Sequence, residues 1–223
     1  MIQNDLLVQS GRLLRRLHDA GFDCRAEDDF EDIPDHVSAT GKPFQSPMFS
    51  ILRNDFTKGT AFWAFLMQEN ARVGGLAAQF YDLREEKLDH YLMRTAASQY
   101  GGGQRAIEWV APPVGEMIGG KLVYFGELYF GEEVRGKRRV LTAFARLSMI
   151  LAAMTWPQFD WMYAFIPKSQ ARFADYYGFT YRLPYSICWT PDEPFGRGND
   201  HMIVAISAKD LAHVLACGDF SEF

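Results

Sequence analysis

The sequence predicts a mixed α/β fold in one domain. Strand-like apolar runs alternate with helical apolar stripes along most of the chain. The 223 residues are 48% hydrophobic, which is enough to build a sizeable core. No internal repeat, low-complexity segment or clear linker divides the chain. We therefore expect a single domain with an N-terminal helical and loop segment (1–55), core motifs (60–182), and C-terminal strands and a helix (183–223).

The N-terminal segment is predicted to begin with a helix. Leucines recur at helical spacing over 3–20, and Gly21 ends this pattern. A short strand is expected near 22–26, followed by loop through residue 44. Ser46 followed by Pro47 is a typical helix start.

The middle of the chain is predicted to start with a hairpin. Two strand-like runs, 60–67 and 72–83, are separated by the short polar stretch "QENA". A helix is expected over 84–100, and a loop-rich stretch with a strand near 106–110 follows it.

The remaining chain alternates strands and helices. The strand at 121–130 contains Gly126, and an isolated glycine in a strand indicates a bulge or a close backbone approach. We expect further elements in this order: helix 138–154, strand 159–166, helix 169–179 ended by Gly178, strands near 180–189 and at 201–207, and helix 208–216.

The composition excludes several classes of protein. A net charge of −5 argues against a dedicated nucleic-acid binder, which needs a broad basic surface. No apolar run reaches the roughly 18 residues of a membrane helix, and the amphipathic start with Asp5 does not resemble a signal peptide. We therefore expect a cytoplasmic protein with no membrane or nucleic-acid partner.

The cysteines and histidines predict neither disulfides nor a metal site. The 3 cysteines, Cys24, Cys188 and Cys217, lie far apart without a CxxC pair. The 5 histidines are scattered without metal-ligand spacing. We therefore expect no metal cofactor.

One stretch of the sequence is typical of an anion site. In "GELYFGEEVRGKRRVLTAF" a strand runs through a glycine-containing turn into a helix, whose first amides are unpaired and carry a partial positive charge. Four cations surround this turn: Arg135, Lys137, Arg138 and Arg139. The alternative is a solvated face whose cations balance Glu132 and Glu133.

These residues resemble a known family. The stretch "ELYFGEEVRGKRRVLTAF" is similar to motif A of the GNAT superfamily of acyl-CoA N-acyltransferases, and "MYAFIPKSQARFADYYGFTYR" looks like its motif B. The hairpin containing "ARVGGL" also fits. The resemblance covers about 60–182, with an insertion at about 84–120. Motif A is degenerate: only Gly136 matches, and the other usual glycines fall on Arg138 and Val140.

The resemblance implies a GNAT-like fold in which strands 121–130 and 159–166 splay apart around acetyl-CoA. The amides of Tyr129 and Phe130 would hold the acyl arm, and the turn would cradle the diphosphate. The residues implied for coenzyme A are Leu128, Tyr129, Phe130, Arg135, Gly136, Lys137, Arg138, Arg139 and Val140. No metal is implied.

Two residues are implied for catalysis. Glu127 matches the glutamate that some members use as a base, often through a water. The alternatives are a solvent-facing Glu127 or a pair with Arg135. The family's tyrosine falls on Ala174, so Tyr177, which shares that helix face, is the expected acid.

The implied function is an N-acyltransferase that moves acetyl from acetyl-CoA to a small-molecule or peptide amine by direct attack. No cysteine or serine stands where a covalent intermediate is suggested. A non-catalytic module that binds acyl-CoA or another phosphorylated ligand is the alternative. A nucleic-acid contact through "RGKRR" is a third possibility, which the acidic remainder disfavours. A homodimer, the acceptor and the acyl chain length stay open.

Overall fold

The fold consists of a large mixed sheet with helices on both faces and a small second sheet. A computed structural model describes residues 2–56, 59–100, 102–191, 194 and 196–217. The helices are α1 (Ile2–Asp19), α2 (Ile33–Ala39), α3 (Leu88–Gln99), α4 (Pro112–Met117), α5 (Arg138–Thr155), α6 (Phe173–Tyr177) and α7 (Ala208–Ala216). The strands are β1 (Asp23–Glu27), β2 (Ala61–Gln68), β3 (Ala71–Asp82), β4 (Ile107–Val110), β5 (Lys121–Phe130), β6 (Trp161–Pro167), β7 (Tyr181–Leu183), β8 (Ile187–Trp189) and β9 (His201–Ser207).

The large sheet has seven strands in the order β1-β2-β3-β5-β6-β9-β7, and β4 pairs with β8 in the small sheet. Strands β5 and β6 run parallel, while their outer neighbours pair antiparallel. Helix α5 connects β5 to β6, as a parallel pair requires. The mixed α/β fold that the sequence predicts is confirmed.

Each face of the large sheet carries its own core. On one face, Leu13 and Leu17 of α1 pack with Phe144 of α5. On the other face, the core includes Trp63 of β2, Leu88 of α3 and Val114 of α4. A side chain on β5 or β6 therefore reaches one core or the other according to its position along the strand.

Several predicted elements match the structure. The hairpin β2–β3, strand β5, helix α5, strand β9 and helix α7 lie within one or two residues of their predicted bounds. Helix α6 ends at Gly178, whose φ of +88° is the left-handed conformation that favours glycine. Among the described residues, no helix combines the length and apolar composition needed to cross a membrane.

Other expectations were wrong in detail. The predicted loop before residue 44 contains α2, which begins beside Pro34 and buries Ile33 and Val37. The helix start at Ser46 yields only a 3₁₀ turn, Pro47–Phe49, and the Ser46 side chain makes no capping bond.

The loop-rich stretch after β4 contains α4, which also starts at a proline. The predicted helix 169–179 is shorter: a 3₁₀ turn, Lys168–Gln170, precedes α6. The predicted strand region 180–189 divides into β7 and β8, which belong to different sheets.

Candidate active site

The parallel strands β5 and β6 part before either strand ends. Their pairing runs from Leu122 with Trp161 to Phe125 with Ala164. Strand β5 nevertheless continues to Phe130, and β6 continues beyond Ala164. The backbones therefore enclose a wedge that opens towards the carboxyl ends of both strands, where open α/β sheets commonly bind ligands.

A bulge lies on β5 where the wedge begins. On β3, Gly75 pairs with Tyr129 and Ala77 pairs with Gly126, so Glu127 and Leu128 face one residue of β3. Glu127 has a φ of +65°, a conformation that costs energy for a residue other than glycine. Such strain is common at functional sites.

At Gly126 other side chains pack closely against the backbone, which is one of the two features that the sequence indicates for this glycine. A Cβ at this position would lie 2.8 Å from Phe49 Cε2 and 3.0 Å from Tyr124 Oη. Two aromatic side chains therefore pack against the β5 backbone at the narrow end of the wedge.

A cavity of about 620 Å³ fills the wedge and reaches both faces of the sheet. Its α5 side contains Gly136, Leu141, Phe173 and Tyr177. Its other wall includes Lys42, Phe44 and Ser46, and we call residues 42–46 the strap. The strap side of the cavity also contains Tyr124, Arg197 and His201.

The turn before α5 is open, as the sequence predicts. Gly136 has a φ of +79°, and a Cβ there would meet nothing within 4 Å. Leu141 N–H donates to the carbonyl of Lys137, which is the first bond of the helix. The amides of Arg139 and Val140 precede that bond and have no backbone partner in the described part of the chain.

The cations around this turn have different neighbours. Arg135 lines the cavity and forms an exposed 3.3 Å ion pair with Glu132, in agreement with the charge-balancing alternative. The Lys137 ammonium lies 4.8 Å from the Phe22 ring centroid, and the Arg138 guanidinium carbon lies 5.1 Å from that of Tyr176.

Several predicted coenzyme-binding residues line the cavity: Leu128, Tyr129, Phe130, Arg135 and Gly136. The side chains of Lys137, Arg138, Arg139 and Val140 are outside the wall that the described residues form. Val140 is buried in the core beneath α5. These four positions can therefore serve a ligand in the cavity through backbone amides, or through side chains at its outer rim.

Glu127 is buried and paired, which neither alternative for it anticipated. Its side chain is 4% exposed, and a carboxylate oxygen lies 3.0 Å from Lys42 Nζ. Ser46 N–H donates to the same carboxylate at 3.1 and 3.2 Å. Glu127 thus faces neither solvent nor Arg135, and its carboxylate is bonded to the strap inside the wedge.

Tyr177 lies on the α5 side of the cavity and is buried. Removal of water from its phenolate, together with the nearby Tyr124, raises the pKa of Tyr177 well above its ordinary value. The phenol therefore keeps its proton at neutral pH. Ala174 is fully buried, and Tyr176 lies beneath Arg138, so Tyr177 is the tyrosine of α6 that reaches the cavity.

Sequence reasoning missed several residues of the cavity wall: Lys42, Phe44, Arg172, Arg197 and His201. Lys42 and Phe44 stand in a stretch read as irregular loop. Arg197 follows a glycine in a segment without any periodic pattern. No local signal in the sequence marks these positions, because the fold brings them to the wedge from distant segments.

Within the described ranges, no group of three or more histidine, cysteine or acidic side chains is arranged to hold a metal ion.

Comparison with known proteins finds solved structures whose chains follow a similar general course. No family model matches the sequence, and no curated protein matches it. NAA60 of Arabidopsis thaliana, solved with acetyl-CoA, is 15% identical, with 84% of this chain and 99% of that chain covered and a TM-score of 0.48. FeeM, an N-acyl amino acid synthase from uncultured soil microbes, is 11% identical (85% and 92% covered, TM-score 0.47). An acyl-CoA N-acyltransferase from Pseudomonas aeruginosa is 9% identical (83% and 99% covered, TM-score 0.46).

All three TM-scores are below 0.5, so the likeness concerns only the general course of the chain and assigns neither a family nor a role to any residue. The chemistry has to follow from the wedge itself.

Proposed function

We propose that this protein is an acyl-CoA-dependent N-acyltransferase that transfers acetyl from acetyl-CoA to an amine by direct attack. The observation that supports this function best is the wedge between β5 and β6, which leads to the unpaired amides at the start of α5. A thioester arm fits between separated strands, and a diphosphate fits a helix N-terminus.

The diphosphate would be bound by the amides of Arg139 and Val140. Gly136 leaves the approach open, because no atom lies within 4 Å of a Cβ built there. Arg135 and Arg172 are exposed cations of the cavity wall. Neither arginine would have to break a bond to a buried carboxylate in order to bind phosphate oxygens.

The acyl arm would pair with β5 through the amides of Leu128 and Phe130. Gly131 N–H donates to the carbonyl of Val73 on β3. Successive amides of a regular strand point in opposite directions, so the amide of Phe130 would point into the wedge and that of Tyr129 to β3. We therefore propose Phe130 as one donor, as the resemblance implies, and Leu128, which lies at the bulge, in place of Tyr129 as the other.

The chemistry follows from these positions. The amine nitrogen attacks the thioester carbon, and the resulting oxyanion accepts hydrogen bonds from the wedge amides. The carbon–sulfur bond then breaks, and the departing thiolate takes the proton of the Tyr177 phenol. Glu127 accepts the proton that the amine loses, directly or through a water, so the products are an amide and coenzyme A.

A non-catalytic module that binds acyl-CoA is the second candidate. The specific observation in its favour is that the Glu127 carboxylate is already bonded to the Lys42 ammonium and to the Ser46 amide. An amine in the cavity would have to compete with Lys42 and Ser46 for the carboxylate oxygens.

The test is acetyl-CoA binding by calorimetry together with thiol release in the presence of a broad panel of amines. Binding with amine-dependent thiol release supports the enzyme. Binding without release for any amine favours the binding module. Absence of binding contradicts both.

A further inference from the structure

Arg197 has an unusual environment on the strap side of the cavity. Its Nε donates to Tyr100 Oη at 3.0 Å, and its Nη2 donates to Tyr124 Oη at 3.0 Å. Met48 Sδ lies 2.9 Å from the same Nη2. The guanidinium carbon also lies 5.4 Å from the centroid of the Phe165 ring. Every one of these neighbours is uncharged.

The positive charge of Arg197 therefore has no ionic partner among the described residues. None of their carboxylates lies within 4.0 Å of its guanidinium nitrogens, and none of their atoms accepts from Nη1. Lys42, the other cation of the strap side, is neutralised by Glu127 at 3.0 Å. Within the described part of the chain, one positive charge in an aromatic surrounding thus has no counter-ion.

Arg197 also reaches the narrow end of the wedge. Tyr124 Oη, which accepts from Arg197, lies 3.0 Å from the position that a Cβ of Gly126 would occupy. Gly126 directly precedes Glu127, the proposed base. A ligand in the cavity can therefore present one group to Glu127 and another to the guanidinium.

We propose that the acceptor is an amine that also bears a carboxylate, and that Arg197 binds this carboxylate. The inference rests on the proposed function and specifies its substrate class. A guanidinium donates charge-assisted hydrogen bonds to a carboxylate, and Nη1, from which no atom of the described residues accepts, can donate them here. The rings of Phe44 and Phe165 give the acceptor apolar walls. An amine with a second positive group is disfavoured by the same charge.

The test compares acceptors that differ only in the carboxylate. The panel consists of α-amino acids and ω-amino acids, each paired with its carboxamide, at saturating acetyl-CoA. We expect kcat/KM to be roughly 10- to 100-fold higher for the acid than for its amide, mainly through KM, because a hydrogen-bonded charge pair contributes this much. In Arg197→Gln the acid-to-amide ratio falls towards one. In Arg12→Gln, which alters an exposed arginine of α1, the ratio is unchanged.

The comparison of acids with their amides is also made in the unaltered protein. The proposal therefore stays testable even if the Arg197→Gln variant folds poorly. Equal kcat/KM for acids and amides, or a ratio that Arg197→Gln leaves intact, overturns the inference while the acyltransferase stands. If no amine is acetylated, the proposed function fails, and the same acid and amide pairs are compared by calorimetry on the protein with coenzyme A present. Equal affinities there overturn the inference as well.

Discussion

A single charge placed at Gly136 tests the proposed diphosphate site. Gly136 stands at the cavity wall with a φ of +79°, and a Cβ there would meet nothing within 4 Å. Asparagine and aspartate tolerate this conformation better than other side chains and have nearly the same size. Gly136→Asp and Gly136→Asn therefore share the backbone cost, about 1 kcal/mol, and differ in charge.

The expected difference follows from Coulomb's law. One carboxylate about 6 Å from one phosphate charge, at an effective dielectric constant of about 20, costs about 3 kcal/mol. That energy corresponds to a roughly 100-fold weaker Kd for coenzyme A. We therefore expect Gly136→Asp to bind about 100-fold more weakly than Gly136→Asn, with a smaller difference at 1 M salt because ions screen exposed charges.

Calorimetric titration with coenzyme A measures both constants, and circular dichroism checks that both variants are folded. Equal affinities of the aspartate and asparagine variants, at low salt and with intact folds, would refute the diphosphate site at this turn.

Four further predictions concern the wedge. Tyr177→Phe should lower kcat about 100-fold or more without weakening coenzyme A binding; unchanged turnover removes Tyr177 as the acid. Because the folded-state pKa of Tyr177 is raised, its contribution to stability is present below about pH 10 and is lost as pH rises. Urea unfolding of the same variant should thus show a shallower decline above that pH. Glu127→Gln should destabilise the protein by about 3 kcal/mol, because it leaves buried Lys42 unpaired, and adding Lys42→Met should restore part of this loss. If the double variant is no more stable than the single one, the pairing argument fails. Gly126→Ala should cost about 1–3 kcal/mol through overpacking, whereas Gly119→Ala, which meets nothing within 4 Å, should be near neutral; equal unfolding free energies would contradict the close packing.

Strong apolar patterns explain which elements the sequence predicts. Strand β9 is a continuous apolar run whose five central residues are buried, and α7 buries Leu211 and Leu215 four positions apart, so both were expected at the residues where the structure has them. Helix α2 was missed, since its seven residues bury only Ile33 and Val37 and provide too short a pattern. Pro34 indicated a break in the sequence but stands in the first turn of the helix.

The site was less predictable because its contacts are distant in sequence. Glu127 accepts from Ser46, 81 positions away, and no local pattern indicates such a partner. Arg197 is in the same situation, since Tyr124 lies 73 positions before it. A sequence identifies the strand and the turn that carry a site, whereas the charges that surround it depend on the complete fold.

The structure also explains how the turn stays open without the other glycines of the motif that the sequence resembles. Val140 turns into the core, and Arg138 lies over the Tyr176 ring, so neither side chain enters the cavity. Residue 136 lines the cavity and has a positive φ, so this position favours glycine, and glycine is present there. The other usual glycines are dispensable as far as access to the α5 amides is concerned.

The most direct test is a crystal structure of the protein with coenzyme A. The account predicts phosphate oxygens within hydrogen-bond distance of the Arg139 and Val140 amides, with the pantetheine arm between β5 and β6. Coenzyme A bound elsewhere, or strands β5 and β6 paired to their ends with the wedge closed, would contradict it.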